Sequence, residues 1–409
     1  MPSGKTNKRL QISNFKLQSI LELTQAINNN VSQKVLLNRL AMTLRYYLNV
    51  SKILIYHHRN DWEVVLRSGV RLSLVKQIQV KEDVIPLGDE ITQVTFSKKP
   101  YLQAFDFVIP IYHKKKPLAY VLIGDEIDAT GVTPSIKHLM FIQTLANIII
   151  VAIENKLLYN ENLKKEALQR DLALAAEVQY YLIPNNAALP DNHYFYVEGY
   201  YRPHFTIGGD YYDFIKLSEE DYLFCLADVS GKGVSAALLM ANFQANVRAL
   251  AHKDMELKTL IIQLNDIVSQ LTQNDRFVTF FVARYNVKTR QLKYVNAGNN
   301  PPFLYNAQTQ TVEHLSLGTV GVGMVAKMPP IKEGTLFIPQ ESILMAYTDG
   351  LVELNNKDDV GVNMNEIEEI IMREKSLKTV LKKVRHKVEK STNTMQYFDD
   401  ISILGMQFH

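Results

Sequence analysis

Apolar side chains at Phe15, Leu17, Ile20, Leu21, Leu23 and Ile27, then at Val35, Leu36, Leu40, Met42, Leu44 and Leu48, recur at helical spacing. The pattern predicts two helices broken near Asn28-Asn29-Asn30. Residues 52–58 and 62–67 are rich in β-branched and aromatic side chains and are separated by Arg59-Asn60-Asp61, which predicts a hairpin. After a polar section, residues 107–112 and 118–124 flank His113-Lys114-Lys115-Lys116-Pro117, a second hairpin whose lysines suit a solvated turn. Pro134 opens a helix that continues through Leu139, Phe141, Ile142, Leu145 and Ile149.

Nothing breaks that helix between residues 154 and 183, where Gly and Pro are absent. Leu168, Leu172, Ala175, Val178 and Leu182 make a stripe spaced by three and four, the pattern of a two-helix seam or of a helix packed on its own domain. Pro184, Asn185 and Asn186 end it. The chain therefore divides into an amino-terminal domain (1–153), a helical, coiled-coil linker (154–187) and a second domain (188–409). Short β-like runs alternate with turns in the second domain, with 194–201 a strand candidate. An apolar run over 222–227 ends on Asp228, and Gly231 and Gly233 then turn the chain into an Ala/Leu/Met-rich helix starting at Val234.

Bulk composition narrows the class without naming a partner. At 409 residues the chain is long enough for two or three cores, and 47% of it is hydrophobic. A net charge of +3, with basic and acidic residues interspersed, gives no nucleic-acid or anionic-membrane footprint. Cys225 is the single cysteine, so no intramolecular disulfide can form, and its place in an apolar run suits a reducing cytosol and a core role. The first residues do not read as a secretory signal, and the longest apolar stretch, 148–153, is too short to cross a bilayer. A cytoplasmic protein without membrane insertion is expected.

Chemistry enters with aspartates at strand ends and glycine turns. Asp210 follows Gly208-Gly209, Asp228 ends an apolar strand, Asp349 follows the strand 342–347, and Asp399 precedes the strand 401–404. Any one of them reads equally well as a turn or helix cap. Together they are the set that hard divalent ions, Mg2+ or Mn2+, require; zinc would call for His and Cys. Two such ions about 3.5–4 Å apart lower the pKa of a shared water and aim it at phosphorus. Gly231-Lys232-Gly233 is not a phosphate-binding loop, because the G-x-x-x-x-G-K-[ST] pattern is absent.

Two resemblances follow from these residues. By the order of its elements, the stretch 15–155 resembles a GAF domain, a small-molecule or protein sensing fold, although it carries no sharp motif; a ligand-free dimerisation role is weighed equally. Over 188–409, the ordered series Gly208-Gly209-Asp210-Tyr211-Tyr212-Asp213, Asp228-Val229-Ser230-Gly231-Lys232-Gly233, Asn296-Ala297-Gly298-Asn299-Asn300-Pro301-Pro302, Thr348-Asp349-Gly350-Leu351-Val352-Glu353 and Asp399-Asp400-Ile401-Ser402 resembles the SpoIIE/RsbU-type branch of the metal-dependent PPM serine/threonine phosphatases. Arg276-Phe277-Val278-Thr279-Phe280-Phe281 also matches a strand of that family.

The resemblance implies an α+β chain with a PPM-type antiparallel β-sandwich flanked by helices. It implies two Mn2+ or Mg2+ ions held by Asp210 and Asp228, with Asp228 bridging, the Val229 carbonyl adding an oxygen, and Asp349 and Asp399 completing the set. The implied substrate is a phosphoserine or phosphothreonine on an anti-sigma factor antagonist. Relatives outside this branch carry a histidine two positions after the bridging aspartate; here it is Ser230, so the leaving-group proton comes from water or another residue, His204 being a candidate by nearness in sequence. Asp213 and Asp400 read as further ligands or as turn caps, and 296–302 as a loop near the site whose asparagines fix turns. A homodimer through the amino-terminal domain and linker is the expected regulatory form, the helix from Val234 its lever. A non-catalytic scaffold on the same fold is the rival reading.

Overall fold

The computed structural model describes residues 3–113, 116–125, 138–354, 364–394 and 397–409. Pro134, expected to open the long helix, and the turn lysines Lys114 and Lys115 lie outside these residues. Two compact units, Met1–Glu166 and Ala167–His409, divide the chain.

The first unit starts with α1 (Ser3–Asn28) and α2 (Gln33–Met42), separated where Asn30 takes a positive φ of 55°. Ser32 caps α2 by accepting from the Val35 N–H at 3.4 Å. Next come β1 (Val50–His58), β2 (Trp62–Ser68), the short α3 (Leu72–Val75), β3 (Thr92–Gln93), β4 (Phe107–His113) and β5 (Lys116–Asp125). They form an antiparallel sheet in the order β2-β1-β5-β4-β3, with both expected hairpins in place. Ile53, Ile55, Val121 and Ile123 point to one face, against the helices; Leu54, Tyr56, Tyr120 and Leu122 point to the other, where Val84, Leu102 and Phe105 fill the space. Each face has its own core.

The helix α4 (Leu139–Tyr180) runs for 42 residues through the division between the units. By length and composition alone this helix could cross a membrane. In the structure Ile142, Leu145, Ala146, Ile149 and Ile150 of this helix are buried in the core of the first unit. A core helix satisfies the same compositional test.

The second unit continues with β6 (Phe195–Arg202), β7 (Tyr211–Lys216), β8 (Asp221–Val229), α5 (Val234–Leu250), α6 (Leu257–Thr272), β9 (Val278–Asn286) and β10 (Gln291–Ala297). After them come β11 (Phe303–Asn306), β12 (Thr311–His314), β13 (Gly318–Thr319), β14 (Gly334–Phe337), β15 (Ile343–Tyr347), α7 (Asp349–Glu353), α8 (Met364–Glu374), α9 (Leu377–Thr394) and β16 (Ile401–Phe408). One sheet has the order β13-β10-β9-β8-β7, with β14 on β10; the other has β12-β11-β15-β16-β6. Pairing is antiparallel except between β10 and β13.

Side-chain alternation shows how the sheets stack. Along β8, Tyr222, Phe224 and Leu226 join Phe195, Leu344, Leu404 and Met406 of the other sheet in one core, whereas Leu223, Cys225, Ala227 and Val229 pack with Met240, Phe243, Leu260 and Leu264 of α5 and α6. The opposite outer face, with Met345, Ile401 and Ile403, is covered by Leu351 of α7, Ile371 of α8 and Leu381 and Val384 of α9. The result is a four-layer helix–sheet–sheet–helix sandwich. A strand buried on both faces needs a continuous apolar run, which is why 222–227 lacks polar alternation. Cys225, fully buried there, is a core residue whose thiol burial pushes to high pKa.

Candidate active site

Alternation carries the acidic residues to one rim of the sandwich. On β8 the inward-facing positions 222, 224 and 226 are followed by Asp228. Tyr211 of β7 pairs with Ala227, so the same register sets Asp210 opposite Asp228. On the facing sheet Tyr347 pairs with Ile403, and one step further the Thr348 N–H donates to the Ser402 carbonyl at 3.1 Å. The Thr348 hydroxyl donates to Asp210 Oδ2 at 2.9 Å while accepting from the Ser402 N–H at 2.9 Å, which ties the two sheets together at the site.

Glycines permit the close approach. A side-chain carbon on Gly208 would collide with the Asp400 carboxylate and the Tyr201 hydroxyl, and one on Gly209 would stand 3.0 Å from the Val229 carbonyl. Asp400, 7% exposed, accepts from the His204 N–H at 2.7 Å and from the Gly209 N–H at 2.6 Å. It therefore fixes two backbone turns beside the cluster, the capping alternative for that residue. Gln179, near the end of α4, grips the same turn from the other side: its Nε2 donates to the Gly208 carbonyl at 2.7 Å and its Oε1 accepts from the Gly208 N–H at 3.1 Å.

Electrostatics show the cost of this convergence. Burial, then the charges of Asp228 and Asp400, hold the Asp210 carboxyl well above the usual carboxylate range. Burial, then Asp349, Asp399 and Asp400, push Asp228 up to about 7, against a relieving hydrogen bond with Asp210. Asp349, which opens α7, is raised by desolvation and by Asp399 and Glu353. Like charges opposed across a ladder destabilise it. A bound cation would reverse that penalty, and the all-oxygen donor set fits Mg2+ or Mn2+. Among the described residues no three acidic, histidine or cysteine side chains already form a closed metal cage.

Several residues have other duties. Asp213 is fully buried and bonded to Arg248, from Nε at 2.7 Å and Nη2 at 2.9 Å, and accepts from the Tyr211 hydroxyl at 2.5 Å; it is a structural anchor. Ser230, where relatives outside the branch have histidine, clips β8 to the segment before β9. Its Oγ accepts from the Phe277 N–H and its N–H donates to the Phe277 carbonyl, each at 2.9 Å, and its own carbonyl accepts from Arg276 Nη1 at 3.1 Å. The His204 ring packs between Phe205 and Tyr397, and its Nδ1 is buried without a hydrogen bond, as is the Tyr201 hydroxyl. Asn296 and Asn299 fix their loop: Asn296 Oδ1 accepts from the Asn299 N–H at 2.8 Å and its Nδ2 donates to the Leu315 carbonyl at 3.1 Å.

Sequence reasoning passed over Thr348, Gln179 and the turn lysine Lys232 as parts of the site. Thr348 follows the inward parity of β15 but has no distinctive pattern of its own; Gln179 carries no local signal, because its partner lies far along the chain.

The chain is similar to known proteins. The family model described as Stage II sporulation protein E (SpoIIE) matches residues 218–409. The chain is 26% identical over 229 residues to phosphoserine phosphatase RsbU of Bacillus subtilis (strain 168), covering 55% of this chain and 67% of that protein. It is 24% identical over 190 residues to phosphoserine phosphatase RsbP of the same bacterium, covering 45% of this chain and 46% of RsbP. Less than half of RsbP is thus spanned. Among solved structures, the SiaA-PP2C domain of Pseudomonas aeruginosa matches with a TM-score of 0.50 at 15% identity, covering 60% of this chain and 99% of that one, a likeness of fold. The second unit thus shares the fold of that PP2C domain, and the similarity to RsbU and RsbP supports a protein serine/threonine phosphatase. Over residues 218–409 it is similar to the SpoIIE family model, and RsbU and RsbP are similar proteins.

Proposed function

We propose that the chain is a metal-dependent phosphatase that hydrolyses phosphoserine or phosphothreonine on a phosphorylated bacterial signalling protein of the anti-sigma factor antagonist type. The observation that carries this reading is the convergence of Asp210 and Asp228, from one sheet, with Asp349 and Asp399, from the other, at a single rim. Asp210, Asp228, the Val229 carbonyl, Asp349 and Asp399 would hold two Mn2+ or Mg2+ ions, which would supply an activated water as the nucleophile toward phosphorus. Asp400, Thr348 and Gln179 keep the Asp210 turn in place. Ser230 is committed to Phe277, so the leaving serine or threonine oxygen takes its proton from water or from His204, whose backbone N–H is bonded to Asp400.

Phosphate release from a phosphoserine peptide, with and without Mn2+, tests the proposal. We expect metal-dependent turnover that falls by well over tenfold in Asp228→Asn, since even outer ligands of a metal are worth about 10- to 100-fold. Turnover without metal would sink the mechanism, and no turnover would leave the scaffold. Asp228→Asn used as bait in a pull-down should retain the phosphorylated partner.

In this reading residues 1–153 are a GAF-like sensing and dimerising domain, 154–187 a coiled-coil linker and 188–409 the phosphatase, working as a cytoplasmic homodimer. Support comes from α4, which leaves Leu158, Leu163, Leu168, Leu174 and Val178 between 45% and 65% exposed.

A further inference from the structure

A cation of the chain's own stands in the acidic cluster. Lys232 lies on the turn between β8 and α5, flanked by Gly231 at φ 93° and Gly233 at φ 74°, a left-handed backbone that other residues adopt with strain. A side-chain carbon on Gly231 would collide with the Arg276 guanidinium, itself held by the Ser230 carbonyl. The turn thus fixes where the lysine stem begins. Its ammonium donates to Asp399 Oδ2 at 2.9 Å and to the Phe398 carbonyl. It also lies in the field of Glu353 and Asp400, and lowers the pKa of Asp349 against the opposing effect of burial. The lysine side chain is 42% exposed and that of Asp399 24%, so the pair is half in water and can open.

We propose that Lys232 is a built-in competitor of the divalent ion: its ammonium holds Asp399 in the metal-free chain and opposes the binding of a metal by that carboxylate. The inference rests on the metal reading above. An ammonium on a flexible four-carbon stem can reach Asp399 and withdraw without moving the backbone. The ammonium on Asp399 Oδ2 and a divalent ion drawn to the same carboxylate repel each other, so each weakens the other's hold. Lys232 therefore sets the metal affinity of the site, raising the concentration of free cation at which the second unit fills.

Isothermal titration of the full chain with MnCl2 tests this without reference to turnover. Lys232→Met, which keeps the stem and removes the charge, should bind Mn2+ more tightly, by about two- to fivefold, the weight of one partly exposed ion pair. Lys232→Arg should stay close to the parent chain. In an Asp399→Asn background the Lys232→Met gain should vanish, because there is no carboxylate left to compete for. An unchanged or weaker affinity in Lys232→Met, or a gain that persists in Asp399→Asn, overturns the proposal. Metal-free thermal melts of each variant establish that it is folded, and Lys232→Gln replaces Lys232→Met if the latter is not. Mn2+ bound equally by the parent chain and by Lys232→Met, but more weakly by Asp399→Asn, defeats this inference alone; Mn2+ bound by none defeats the metal reading and this with it.

Discussion

At the scale of the residue, the site is a consequence of parity. Asp210, Asp228, Thr348 and Ser402 are each the next inward position on strands that already point apolar side chains between the sheets. The aspartates were legible in the sequence because glycines and apolar strand ends surround them. Thr348 was not, because a threonine beside an aspartate has no distinctive pattern until the register of β15 on β16 is known. Its importance can be measured. Thr348→Val removes the hydroxyl that serves both the Asp210 carboxylate and the Ser402 N–H, leaving two buried groups without that partner. A loss of about 1–3 kcal/mol in urea unfolding of the second unit is expected, together with weaker Mn2+ binding. Thr348→Ser restores both, since a hydroxyl at the same place can make the same bonds. Equal behaviour of Val and Ser would show that only the volume of the side chain matters there.

At the scale of the element, α4 is the part whose existence was plain and whose purpose was not. Thirty residues without Gly or Pro announce a helix, and the structure extends it from Leu139 to Tyr180. Periodicity could not show that Gln179, in the last turn of α4, sets both amide atoms on the backbone of Gly208. That contact pairs residues 29 apart in sequence, beyond the reach of any helical pattern. Gln179→Ala would strip the Gly208 N–H and carbonyl of their partners and free the turn that presents Asp210. Stability should fall by about 1–3 kcal/mol, and the dissociation constant for Mn2+ should rise, while Gln179→Glu, which cannot donate to the carbonyl, falls between. A variant with unchanged unfolding and unchanged metal binding would show that the turn stands without the helix.

At the scale of the whole molecule, the sandwich was legible only through its motifs. Short strands with buried faces look alike in pattern, and sheet order depends on pairings such as β16 with β6 and β8 with β9, which join segments far apart in sequence. What the pattern did show is an apolar stripe on α4 that the chain itself does not cover: Leu168 and Val178 remain 59% and 65% exposed. Further exposed apolar side chains, Leu10, Leu17 and Leu21, lie along α1. Apolar surface of this kind on a long helix is stabilised by a partner helix presenting the same stripe, the arrangement of a two-fold symmetric pair. Light scattering should therefore report a dimer for the full chain and a monomer for residues 188–409 alone. Charges placed on the seam, Leu168→Lys with Val178→Lys, should give a full-length monomer whose metal-free melting is little changed, because neither side chain is buried within one copy. A monomeric parent chain, or a double variant that stays dimeric, would remove the seam from the proposed mechanism of regulation and leave the Gln179 contact as the route by which α4 acts on the site.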